Sequence, residues 1–126
     1  MNLLQFKNYL ENKLLILDGA TGTELQKKGL HLGIAPEAWV LDNPEALIDL
    51  QQEYIKSGSD AVYSFTFGAN RLKLSQYGLQ NSVTDINRKL VEISRKAVGR
   101  EQFVAGNISS LGVFIRPFGE LDFEEA

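Results

Sequence analysis

Leu14-Leu-Ile-Leu17 running into Asp18-Gly-Ala-Thr-Gly-Thr-Glu-Leu25, and Asp60-Ala-Val-Tyr63 running into Ser64-Phe-Thr-Phe-Gly-Ala-Asn-Arg-Leu-Lys-Leu74, decide the fold. In each, a short apolar run of strand type ends in small and polar residues and then turns into a helix. Ligands of parallel α/β folds sit beyond the carboxyl ends of the strands, so polar groups placed just after apolar runs are where chemistry is expected. The two segments are read as one site.

Working outward, a third strand is expected over Gln102 to Asn107, with strand one over Leu14 to Asp18 and strand two over about Asp60 to Phe65. Residues 2 to 12 carry Leu3, Phe6, Tyr9 and Leu10 at helical spacing, and a short helix is expected from Thr21 to about Lys28, stopped by Gly29. Leu30 to Leu41, with Gly33 and Pro36, reads as an irregular excursion anchored by Trp39. Asn43 is placed as an N-cap with Pro44 at the first helical position, and Leu47, Leu50 and Tyr54 line one face before Gly58. A short helix around Asn70 to Gln76 precedes a longer one from near Ser82 to Gly99, where Ser82 and Asp85 have capping-box spacing and Val83, Ile86, Leu90, Ile93 and Ala97 form a stripe. Gly106, Gly112, Pro117 and Gly119 make the next segment a loop, and Leu121 to Ala126 looks like a first helical turn. Strands joined by crossovers of more than a dozen residues imply a parallel sheet with right-handed connections.

With 126 residues, 44% of them apolar and 23% charged, the chain suits one globular domain. Its 13 basic and 16 acidic residues are interspersed and sum to −3, with no basic stripe for phosphates, so nucleic acid is not an expected partner. No apolar run approaches the ~20 residues of a membrane span and no cationic segment with an apolar core leads the chain, so a soluble cytoplasmic protein is expected. The absence of cysteine excludes disulfides, thiol nucleophiles and thiolate metal sites within the chain, and His31 alone cannot build a metal site. No catalytic or metal-ligating residue is therefore assigned, and no cofactor is expected on this chain.

Asp18 ends an apolar run, where a carboxylate is costly to bury unless it meets a cation or several donors. The ammonium of an amino acid would suit it; accepting backbone N–H groups in the turn, or capping the next helix, would suit it equally from the residues alone. Gly19 and Thr21 stand where free N–H groups can hold a carboxylate, though the glycines could simply make a tight turn. The segment matches neither GxGxxG nor GxxxxGK[ST], so nucleotide binding is unsupported. Ser64 offers a hydroxyl at the end of strand two and Asn107 an amide at the end of strand three. Phe65 and Phe67 alternate with Ser64 and Thr66, and core packing is expected of both rings. Asn70, Arg71 and Lys73 open the following helix and read first as a solvated face, with contact to substrate or a neighbouring module as the alternative.

The ordered words Asp18-Gly-Ala-Thr-Gly-Thr23, Asp42-Asn-Pro-Glu45, Tyr54-Ile-Lys-Ser-Gly-Ser-Asp60, Thr66-Phe-Gly-Ala-Asn-Arg71, Tyr77-Gly-Leu79 and Ala105-Gly-Asn-Ile108 run through nearly the whole chain. In these words the chain resembles the homocysteine S-methyltransferases, and among them the amino-terminal homocysteine-binding domain of cobalamin-dependent methionine synthases (5-methyltetrahydrofolate–homocysteine methyltransferases). The resemblance implies an eight-stranded (β/α)8 TIM-type barrel of about 250 residues, of which residues 1–126 would be the N-terminal portion with about three β/α units. It also implies homocysteine as ligand, with Asp18, Gly19, Thr21, Ser64 and Asn107 as the substrate-binding share of this chain.

The family has a threonine-type hydroxyl where Ser64 stands and usually a proline where Ser110 stands. In the complete domain, zinc held by cysteines near later strand ends favours the homocysteine thiolate, which takes a methyl group to give methionine. In cobalamin-dependent members the donor methylcobalamin is recharged by methyltetrahydrofolate on other modules of the parent polypeptide. Without those cysteines this chain is expected to be inactive alone, its partners being the remaining barrel and the folate and cobalamin modules.

Two other readings stay open. Another barrel enzyme acting on a small anion, such as an aldolase or isomerase, would want a strand-end lysine that is not found. A non-catalytic, truncated α/β module for binding or assembly would leave two open sheet edges and would have to oligomerise.

Overall fold

The computed structural model describes residues 3–100 and 102–126. Three parallel segments lie at its centre. Strand β1 (Ala61–Tyr63) pairs with β2 (Phe103–Ala105), Ala61 opposite Phe103 and Tyr63 opposite Ala105. Leu17 forms a parallel bridge to Ala61, and Asp18 N–H donates to Ala61 O at 3.0 Å. All three chain directions agree, as crossover connections of this length require.

The strands are shorter than expected. Leu14 to Asp18 is reduced to one bridge because its outer side has no pairing partner: Leu14 is 88% exposed and Ile16 54%. Ile16 N–H goes instead to the Asp60 carboxylate at 3.0 Å, which holds that carboxyl below its usual value with help from the Tyr9 hydroxyl. β1 stops at Tyr63 because Thr66 N–H folds back onto Ser64 O at 2.8 Å and starts a turn.

The described residues form six α-helices: α1 (Leu3–Asn12), α2 (Gly22–Lys27), α3 (Pro36–Asp42), α4 (Pro44–Lys56), α5 (Arg71–Ser75) and α6 (Val83–Val98). The first residue expected in α1, Asn2, lies outside the described residues. α3 and α4 both pack on α6, and Leu25, Val40, Leu47 and Leu90 between these elements have no exposed surface. Ile48, Val62, Ala97 and Val98 form a smaller cluster joining α4 and α6 to β1. The stripe on α6 is real: Ile86, Leu90 and Ala97 are buried, and the helix ends at Gly99 with φ +68°. Gly supplies that left-handed turn without the Cβ clash another residue would meet.

Three further expectations are corrected. The supposed irregular excursion contains α3, since Pro36 occupies its first turn after an extended Ala35 and a fixed φ with no N–H suits that position. Asn43 makes no side-chain N-cap bond for α4; its amide donates to Trp39 O at 2.9 Å and closes α3 instead. Ser82 makes no cap bond either, and Asp85 pairs with Arg88 and Lys89 along the helix surface. The chain closes on a 3₁₀ turn, Phe123–Glu125.

Candidate functional site

The loops after Leu17, β1 and β2 open onto one cavity of about 770 Å³. Of the residues singled out from sequence, Gly19, Thr21, Ser64 and Asn107 line it; Asp18 does not, although its neighbours Gly19 and Tyr63 do.

Asp18 Oδ1 accepts the N–H of Tyr63 at 3.1 Å, tying the first loop to the end of β1. Its Oδ2 is buried and has no hydrogen-bond partner among the described residues. Burial pushes this carboxyl above its ordinary value, and the Tyr63 N–H offsets only part of that. The turn-holding alternative for Asp18 thus describes one oxygen and leaves the other to be accounted for.

Gly19 lies close against a neighbour. A Cβ there would stand 3.1 Å from the Tyr54 hydroxyl oxygen and 3.2 Å from Cε1 of the ring. Tyr54, from α4, lies against the loop and donates to Ala20 O at 2.8 Å. With the carbonyl so held, the N–H groups of Gly19, Ala20 and Thr21 meet no acceptor among the described residues. Thr21 Oγ1 reaches Gly19 O only weakly, at 3.4 Å.

Ser64, 1% exposed, belongs to a closed hydroxyl relay. Thr66 Oγ1 donates to Asn107 O at 2.8 Å, which uses its only proton. The 2.9 Å contact between Ser64 Oγ and Thr66 Oγ1 therefore has Ser64 as donor. Ser64 Oγ also accepts from Asn107 N at 3.3 Å. The relay locks the ends of β1 and β2 together, and the side-chain amide of Asn107 is left without a hydrogen bond to the described residues.

The two phenylalanines part company. Phe65 packs on the main core, whereas Phe67 is 58% exposed, so core packing holds for one ring only. The Lys73 ammonium stands 4.5 Å over the Phe67 ring and donates to Ser109 Oγ at 3.0 Å, so Lys73 is not simply a solvated helix residue. Ser109 in turn bonds Phe67 O.

Sequence reasoning missed Glu37, Tyr54 and Thr66. Glu37 is 5% exposed, lines the cavity and accepts Gly68 N–H at 2.8 Å. The single available signal was an acidic residue directly after Pro36, which reads as ordinary helix-start chemistry.

No metal centre is formed: among the described residues no three His, Cys, Asp or Glu side chains are grouped to hold an ion. Nor, among them, is any helix long and apolar enough to cross a membrane.

Residues 15–126 match the sequence profile of the family described as Homocysteine S-methyltransferase. The chain is 29% identical over 111 residues to methionine synthase of Mycobacterium tuberculosis (strain ATCC 25618 / H37Rv), a match covering 79% of this chain and 9% of that protein. It is 30% identical over 99 residues to homocysteine S-methyltransferase of Escherichia coli (strain K12), covering 75% of this chain and 31% of the relative. The metallated crystal structure of the homocysteine methyltransferase MmuM from Escherichia coli superposes with a TM-score of 0.72 at 26% identity, over 85% of this chain and 42% of that one. The chain thus spans less than half the length of each of these relatives.

Proposed function

We propose, from the premise that this chain belongs to the homocysteine S-methyltransferase family, that residues 1–126 are the N-terminal portion of a (β/α)8 barrel and supply the amino-acid half of a homocysteine site. The complete enzyme would transfer a methyl group to the sulfur of homocysteine: the donor–methyl bond breaks, an S–methyl bond forms, and the thiol proton leaves to give methionine.

The observation that carries this assignment is the second oxygen of Asp18, buried without a donor. A substrate ammonium is the partner that would recover its desolvation cost. Gly19 and Thr21 line the cavity with N–H groups that meet no acceptor among the described residues and suit the substrate carboxylate, and Asn107, also on the cavity wall, carries a side-chain amide. Ser64 serves the site by locking β1 to β2 and has one lone pair left for a ligand.

The zinc implied by the family does not fit this chain. There is no cysteine, His31 is the single histidine, and no acidic cluster substitutes for them among the described residues. Activation of the sulfur is therefore assigned to other parts of the complete enzyme. The methyl donor is assigned likewise, whether methylcobalamin recharged by methyltetrahydrofolate on separate modules or another methyl compound. The remaining barrel and those modules are the partners this reading requires.

Titration of homocysteine into the complete enzyme and its Asp18→Asn variant tests the assignment. The amide keeps an acceptor for Tyr63 N–H but loses the charge, so affinity should fall about ten-fold or more. Equal affinity would remove Asp18 from the site. Methionine production at enzyme-like rates by the 126-residue chain with zinc would break the fragment assignment.

A non-catalytic assembly module is the second reading, favoured by the exposure of Leu14, Ile108, Phe114 and Phe118. It requires a stable oligomer in sedimentation; a stable monomer counts against it.

A further inference from the structure

Glu37 is a carboxylate with 5% of its surface exposed, in the first turn of α3 and on the wall of the cavity. So deep a carboxylate is costly unless donors meet it. One does: Gly68 N–H, in the turn that follows β1, at 2.8 Å from Oε1. No other donor reaches it among the described residues. Gly68 is matched to this contact, because a Cβ built there would overlap Oε1 and lie 3.0 Å from Cδ. A side chain at 68 would push the carboxylate off its donor.

The segment from Ser64 to Ala69 is a tight turn, with Thr66 N–H on Ser64 O at 2.8 Å and Ala69 N–H on Thr66 O at 3.1 Å. Where Gly68 is held therefore sets where the Ser64 and Thr66 hydroxyls meet Asn107. Shifts of about 1 Å in a supporting loop are enough to weaken an oriented site many-fold.

We propose that Glu37 is a positioning residue: through Gly68 it holds the loop after β1 so that the Ser64–Thr66–Asn107 relay presents its cavity face to the amino-acid ligand. The identity of that ligand rests on the homocysteine assignment above, whereas the clamp itself does not.

Homocysteine titration and residue-resolved amide exchange at Gly68, both on the complete enzyme that contains this chain, test the proposal. Glu37→Leu should weaken homocysteine about ten-fold and speed Gly68 exchange about ten-fold or more. Glu37→Gln keeps an oxygen acceptor at the same reach and should bring both within about three-fold of the parent. Gly68→Ala, which displaces the same bond from the other side, should match Glu37→Leu, and the double variant should be no worse than the poorer single. A purely structural side chain would lower the melting temperature of Glu37→Leu while the folded protein binds homocysteine as before. That outcome overturns the proposal, as would fully additive losses in the double variant. If the unsubstituted complete enzyme binds no homocysteine yet Gly68 exchange follows the expected pattern, the clamp stands and the homocysteine assignment is what fails.

Discussion

Leu90 on α6 and Leu14 before the first loop are the same residue type with opposite surroundings: one has no exposed surface, the other is 88% exposed. The contrast extends to whole regions. α3, α4 and α6 cover one another with Leu25, Val40 and Leu47 between them, so this side of the molecule is a finished core. The strand edge at Leu14 and Ile16, and the closing segment with Phe114, Phe118 and Phe123, present apolar surface that nothing here covers. Helices hydrogen-bond internally and need only one face buried, whereas strands need neighbours on both edges. Against a solved relative of which this chain covers only 42%, the edge is where the proposed remainder of the barrel would attach.

The largest expected effect lies in the finished core. Leu90→Ala should cost about 2–5 kcal/mol in chemical denaturation, because the transfer free energy of the removed atoms is lost and a cavity is left behind; a cost under about 1 kcal/mol would mean the helical layer is as loosely packed as the edge.

Tyr54→Phe comes next. It removes the bond to Ala20 O and should cost about 1 kcal/mol of stability, with weaker homocysteine binding because the first loop loses its tether. Unchanged affinity would show that Gly19 packing against the ring suffices.

The pH response is a smaller effect and sets two aspartates beside the same edge against each other. Asp60 is shifted down from 3.8 by the Ile16 N–H, so its stabilisation is complete above that value and is lost as pH falls through the lowered one. Asp18 is shifted up by burial; the folded chain then holds more protons than the unfolded one, and stability falls as pH rises above 3.8. Asp60→Asn should flatten the acid limb of a stability–pH curve, and Asp18→Asn should raise stability at neutral pH while impairing ligand binding. The same sign for both variants would contradict the assigned causes.

The smallest effect belongs to the edge. Leu14→Ala should change the stability of the isolated chain by no more than about 0.5 kcal/mol, and the same substitution in the complete enzyme should cost several times more if neighbouring strands cover it. Equal effects in both settings would refute an attachment edge.

Much of this was legible in the chain. The Asp18 and Ser64 loops could be found because polar residues directly follow apolar runs, and the α6 stripe because its period is local. The first strand was misjudged since an apolar run reports a tendency to be covered, not the presence of a cover. α3 was missed because Gly33 and Pro36 resemble a loop until Pro36 is seen as a helix start. Glu37, Tyr54 and Thr66 were illegible for a different reason: their partners lie 31, 34 and 41 residues away.

Period, turn chemistry and composition were enough for the parallel α/β order, the candidate loops and the lack of thiolate ligands in this chain, and the family was legible through the ordered words it shares with this sequence. The parallel pairing of the strand ends was needed to choose which carboxylate oxygen of Asp18 stays unpaired and to spend the Ser64 hydroxyl inside a relay, and the placement of α3 beside the loop after β1 was needed to bring Glu37 to the N–H of Gly68. Patterns along a chain record local preference, but a buried donor takes whichever acceptor the folded helices bring within about 3 Å of it.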